Sequence, residues 1–149
     1  MPDISYFASL DEQEINSLLE APALIVALIA GADGRFDAKE TNVAAKIVNY
    51  RSFTSDFKLH DYYEAVQSGF EKQLMDLVST WTSEDLIRVS NVLEGLNPIL
   101  AKLDAEFAAE LTESWRSLAR RVAEAEGGLM GFGTVNALER ALIELPMIH

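Results

Sequence analysis

Residues 21–40 read Ala-Pro-Ala-Leu-Ile-Val-Ala-Leu-Ile-Ala-Gly-Ala-Asp-Gly-Arg-Phe-Asp-Ala-Lys-Glu. The apolar run from Ala21 to Ala32 is twelve residues long, and a membrane-spanning helix needs roughly 20. It therefore predicts a helix buried on every face inside a protein core. Pro22 suits the first turn of that helix, because its missing N–H would be unpaired there anyway. Asp33-Gly34 is a turn signal that ends it. Asp37-Ala-Lys-Glu40 has the spacing of a capping box and opens the next helix, to about Tyr50.

Working outward, the same period continues. Ser9-Leu10-Asp11-Glu12 predicts a first helix to about Glu20, preceding the one at Pro22. Ser52 to Asp56 reads as a polar connection. One or two helices follow over about 59–79, with Gly69 a possible break. Thr82 or Ser83 caps the next, to about Leu93. Gly95 and Asn97-Pro98 predict a break. A long helix runs from Ile99 or Asp104 to Glu126, then a Gly-rich loop from Gly127 to Gly133, then a last helix ended by Pro146. No segment alternates apolar and polar residues, so the expected class is all-α, as one domain over residues 1–149.

Composition bounds the partners. The 149 residues include 24 acidic and 12 basic ones, a formal net charge of −12, and no Cys. Disulfides and thiolate metal sites are excluded. An acidic chain is a poor partner for nucleic-acid phosphates or an anionic membrane surface. The N-terminus has Asp3, Asp11, Glu12 and Glu14 where a secretory signal needs a basic stretch, so the expected location is the cytoplasm.

A weak internal repeat appears at a shift of 93 residues, where Ile29–Gly34 lies over Val122–Gly127. With six extra residues in the second copy, Asp37–Glu40 lies over Asn136–Glu139. Two such helix–turn–helix units suggest an approximate two-fold arrangement. The first copy also looks like the second half of a calcium-binding EF-hand loop. The acidic ligands of the first half are absent, with Ile29 and Gly31 in their place, so a standard EF-hand is rejected. Two readings of the acidic motif stay open. In one, Asp37 and Glu40 only cap a helix. In the other, Asp33, Asp37, Glu40, Glu126 and Glu139 converge on a divalent cation, calcium or magnesium, which takes only oxygen ligands.

The stretch from Ile29 to Glu40 resembles the repeat signature of the TerB-like tellurite-resistance proteins. The resemblance covers about residues 22–50 and 115–146 by motif. It implies a compact bundle of about seven helices with an internal repeat. It further implies clustered acidic residues that bind metal, and a non-catalytic role within protein complexes in tellurite, chemical-stress or metal response. Asp33, Asp37 and Glu40 match the signature. The second copy departs from it, with Glu126 for Asp, Asn136 for an acid and a longer loop. The expected partners are proteins, including a second copy of the chain. The alternatives are a purely structural interaction domain and a metal-dependent enzyme.

Other features have plainer readings beside functional ones. Asp56, His60 and Glu64 share a helical face and could hold zinc or iron, or form a solvated charge stripe. Leu129, Met130 and Phe132 among glycines either close over the core or form an apolar flap or dimer contact. Trp81 and Trp115 read as core anchors, Arg120-Arg121 as partners of nearby acids, and His149 as a free end.

Overall fold

The computed structural model describes residues 5–32, 38–54, 57–130 and 141–149; at 38–40, 53–54, 57–58 and 125–130 it describes the backbone alone. These residues form helices and turns, with no strand among them. A short 3-10 turn, Ser5–Phe7, precedes α1 (Glu12–Ala30), α2 (Ala38–Thr54) and α3 (Phe57–Thr80). Then come α4 (Asp85–Glu94), the single turn α5 (Asn97–Leu100) and α6 (Ala105–Met130).

The helix starts follow local chemistry, with one shift. Asp11, not Ser9, caps α1: its carboxylate accepts from Glu14 N–H at 2.8 Å, and Asp11 N–H donates to Glu14 Oε1 at 3.0 Å. Asp11 to Glu14 repeats the cap-x-x-Glu pattern two residues later. Lys102 decides between them, donating to Glu14 Oε2 at 2.6 Å while Ser9 Oγ binds the Lys102 carbonyl. The Lys102 ammonium, helped by Asp11 N–H, holds the Glu14 carboxyl below its usual range. α2 begins at Ala38, as the Asp37 pattern predicts. α6 is capped by Asp104, whose carboxylate accepts from Phe107 N–H at 3.0 Å. At α4 the expected cap is reversed. The Asp85 carboxylate reaches back to Thr82 N–H at 2.7 Å and is held by Arg88, and these bonds lower its pKa.

The two helices expected on either side of Pro22 are one. A proline inside a helix removes the N–H that would bind the carbonyl four residues earlier. That carbonyl belongs to Leu18, and the Tyr62 hydroxyl donates to it at 2.7 Å. Trp115 Nε1 in turn donates to the Tyr62 oxygen at 3.0 Å. Side chains from α3 and α6 thus supply the donor that Pro22 lacks, and α1 runs unbroken. Every residue from Ala21 to Ala30 is buried, along with Ile15 and Leu18. α1 touches α2, α3, α4 and α6. Among the described residues it alone is long and apolar enough to cross a membrane, with mean hydropathy 1.3, and 67% of that window lies inside the bundle.

Three further differences are local. α2 continues through Ser52 to Thr54, so three of the five residues of the expected polar connection are helical, and the other two lie outside the described residues. Gly69 does not break α3. α6 continues through Gly127 and Gly128 to Met130, so the first four residues of the expected loop are helical; residues 131–133, Phe132 among them, lie outside the described residues.

The cross-links set the helix directions. Phe7, before α1, meets Phe107 at the start of α6, and Leu18 further along α1 meets Tyr62, which in turn binds Trp115 further along α6, so α1 and α6 run the same way. Tyr62 at Leu18 and Trp81 at Gly31 place α3 parallel to α1. Arg51 at Tyr63 and Asn49 at Gln67 place α2 antiparallel to α3. The described residues therefore form a bundle with five helices of ten or more residues, where seven were expected.

The terminal segment returns along α6. Leu145 is buried in the left-handed region, φ 49°, just before Pro146. Arg116 Nε and Nη2 donate to the carbonyls of Glu144 and Ile148 at 2.9 and 3.0 Å. Asn97 Nδ2 donates to the Met147 carbonyl at 2.9 Å, and its Oδ1 accepts from His149 N–H at 3.0 Å. His149, expected to be free, is held by its backbone. Asn97→Ala should cost about 1–2 kcal/mol through these two lost bonds and expose the His149 amide to fast hydrogen exchange. Unchanged exchange at His149 would contradict this arrangement.

Candidate functional site

The helix register bears on the backbone at two positions of the acidic motif, 40 and 126. At 1.5 Å per residue, the register from Leu18 and Trp115 brings the end of α1 level with the last turns of α6. α2 descends from that same end. The first turn of α2, which carries Glu40, and the stretch of α6 that carries Glu126 are therefore neighbours along the bundle axis. The side chains of Glu40 and Glu126 lie outside the described residues, as do Asp33, Asp37 and Glu139 entirely.

The turn at the end of α1 is held by Trp81, the residue that follows α3. Trp81 Nε1 donates to the Gly31 carbonyl at 3.3 Å. A Cβ on residue 31 would come within 2.6 Å of Trp81 Nε1 and 2.8 Å of the Ala27 carbonyl, so only glycine permits this approach. Trp81 is half-buried and acts as a clamp on the end of α1, a role beyond the core packing expected from its sequence. Trp115 is fully buried, as expected.

His60 and Glu64, two of the three residues expected on one helical face, do come together. His60 Nδ1 lies 3.4 Å from Asp61 Oδ1 and 3.7 Å from Glu64 Oε2. The potential ligand atoms of these three residues lie within 4.8 Å of one another. Asp61 joins His60 and Glu64 in this group, while Asp56, the third residue expected from the sequence, lies outside the described residues. Both carboxylates are exposed, with 65% and 68% of their side chains open to water. In water such a trio needs no ion for charge balance.

A second polar site was not foreseen. Near the end of α2, Arg51 reaches across to α3 and α6. Its Nη1 donates to the Tyr63 hydroxyl at 3.0 Å, the Ser114 carbonyl at 2.9 Å and Ser114 Oγ at 3.2 Å. Its Nη2 donates to Ser117 Oγ at 3.0 Å. The guanidinium also lies over the Tyr63 ring, 5.4 Å from its centroid. Tyr63 and Ser114 share a hydrogen bond of their own. A cavity of about 590 Å³ opens beside Arg51. The nearby pair Arg120–Glu113, at 2.9 Å, accounts for half of the Arg120-Arg121 dipeptide in the way expected. The sequence signal for the Arg51 site was weak: one Arg at a helix end and two Ser one turn apart.

Comparison of the chain with protein families, with curated proteins and with solved structures finds no match.

Proposed function

We propose that this chain is a non-catalytic, cytoplasmic accessory module of the TerB-like kind, acting in tellurite, chemical-stress or metal response. It binds protein partners and, through Asp33, Asp37, Glu40, Glu126 and Glu139, a divalent cation such as calcium or magnesium. The finer fold reading, an internal two-fold repeat across about 22–50 and 115–146, belongs to the same proposal. One observation carries it most: the parallel course of α1 and α6, with α2 starting at their shared end. That course supports the reading because the α2 backbone at residue 40 and the α6 backbone at residue 126, 86 positions apart in sequence, lie toward the same end of the bundle. Carboxylates brought close together repel one another unless a cation or basic groups neutralise them.

The start of α2 at Ala38 favours a second reading, in which Asp37 and Glu40 act only as caps and the chain is a structural interaction domain. Thermal melting separates the two. A cation that binds only the folded state at 100 times its dissociation constant adds about 2.7 kcal/mol. Wild type should therefore melt higher in millimolar calcium or magnesium, and Asp33→Asn with Glu40→Gln should lose that increment. The double change also lowers the metal-free stability through the lost cap, by about 1 kcal/mol. The difference between metal and no metal is the quantity to read. A wild type with no increment in calcium, magnesium, manganese or zinc leaves the caps as the explanation.

A further inference from the structure

We propose that the niche between the end of α2, the start of α3 and the middle of α6 binds a small organic carboxylate, held by Arg51 and Ser117. A guanidinium has five N–H donors in a planar fork. Four contacts are made by Nη1 and Nη2, all to neutral oxygens. The Nε–H and one Nη2–H have no partner among the described residues. Nor does any carboxylate of those residues form an ion pair with Arg51, in a chain with twice as many acids as bases. Glu113, one of two acids lining the niche, is engaged by Arg120 instead.

The remaining donors match a carboxylate. Two N–H groups of one guanidinium can meet its two oxygens. Ser117 Oγ accepts from Arg51, which leaves its own O–H to donate. Stacking on Tyr63, together with the bonds to Ser114, fixes the guanidinium plane before any ligand arrives. Leu59 and Ala109 add an apolar wall, and the cavity of about 590 Å³ has the size of a small-molecule site. Glu110 and Glu113 also line it, so a singly charged carboxylate meets less repulsion than a phosphate dianion. A short aliphatic carboxylate fits both the charge and the wall.

The test is a titration of the ¹⁵N-labelled protein with sodium acetate and sodium butyrate at constant ionic strength, with phosphate and chloride as separate arms. The readouts are the Arg51 Nε–H and Ser117 amide resonances. Both carboxylates should give saturable shifts with dissociation constants of about a millimolar, butyrate the tighter. Arg51→Lys keeps the charge but loses the fork, and should weaken binding about tenfold or more. Because Arg51 also ties three helices together, Ser117→Ala serves as the milder variant, and should weaken binding about threefold. Linear, unsaturated shifts, or equal shifts with chloride, overturn the proposal. So do saturation by phosphate alone and unchanged affinity in a folded Ser117→Ala.

Discussion

Trp115→Ala should lower the stability of this protein by about 3–5 kcal/mol, the range for emptying a large aromatic site in a packed core. Trp115 is 0% exposed and sits in the same buried cluster as Tyr62, Phe107 and Leu18. Its loss leaves a cavity at the level where α1, α3 and α6 meet. A typical domain has only about 5–15 kcal/mol in total, so the variant should be partly unfolded near physiological temperature. Trp115→Phe keeps much of the volume and loses only the Nε1 donor to Tyr62. It should cost clearly less, because Tyr62 can still donate to Leu18. Urea midpoints of the two variants, at unchanged denaturant slope, give the comparison. Equal losses for Phe and Ala would mean that the missing indole donor, and not the cavity, carries the loss.

Tyr62→Phe should cost about 2–4 kcal/mol although it removes a single oxygen. Two buried groups lose their partner at once, the Leu18 carbonyl and Trp115 Nε1–H, and each unsatisfied group costs about 1–3 kcal/mol. The Leu18 part exists only because residue 22 is a proline. Pro22→Ala restores a backbone N–H for that carbonyl, so the double variant should lose less than the sum of the single losses. A coupling of about 1 kcal/mol is expected from a double-mutant cycle. Strict additivity would sink the idea that Tyr62 replaces the missing proline donor.

The same hydroxyl gives a pH signature. Burial, and then the neighbouring Tyr63, push the Tyr62 pKa well above the ordinary tyrosine range. The folded state keeps its proton where the unfolded chain gives it up. Stability tied to this group is intact below pH of about 10 and is lost as pH rises from there toward the folded value. Wild type should therefore lose stability between about pH 10 and 11 more steeply than Tyr62→Phe. Parallel slopes for the two would contradict the burial of Tyr62.

At the acid end the sign reverses. The Glu14 and Asp85 carboxyls are held below their usual range by Lys102 and by the Thr82 N–H, respectively, so their contribution is lost as pH falls below the ordinary carboxylate range. Both sit at the surface, and their effect is small beside that of Tyr62.

Much of this architecture is written in short-range pattern. The all-helical class follows from the 3.6 period. The burial of α1 follows from residues 21–32 being apolar on every face. The start of α6 follows from Asp104, because a cap depends only on residues within one turn, and α2 begins where the cap pattern in the sequence predicts. Asp11 displaced Ser9 because Lys102, 88 positions away from Glu14, favours one of two equivalent local patterns. Pro22 failed to divide α1 because its compensating donor comes from Tyr62, 44 positions beyond Leu18. The Arg51 site needs three helices brought together, and no spacing along the chain announces it. Local hydrogen bonding and side-chain periodicity thus determined by sequence where helices form and which faces are buried. The tertiary structure alone decided which helices run on through a proline, which cap wins, and which polar groups meet, since those depend on partners that only packing brings within hydrogen-bond reach.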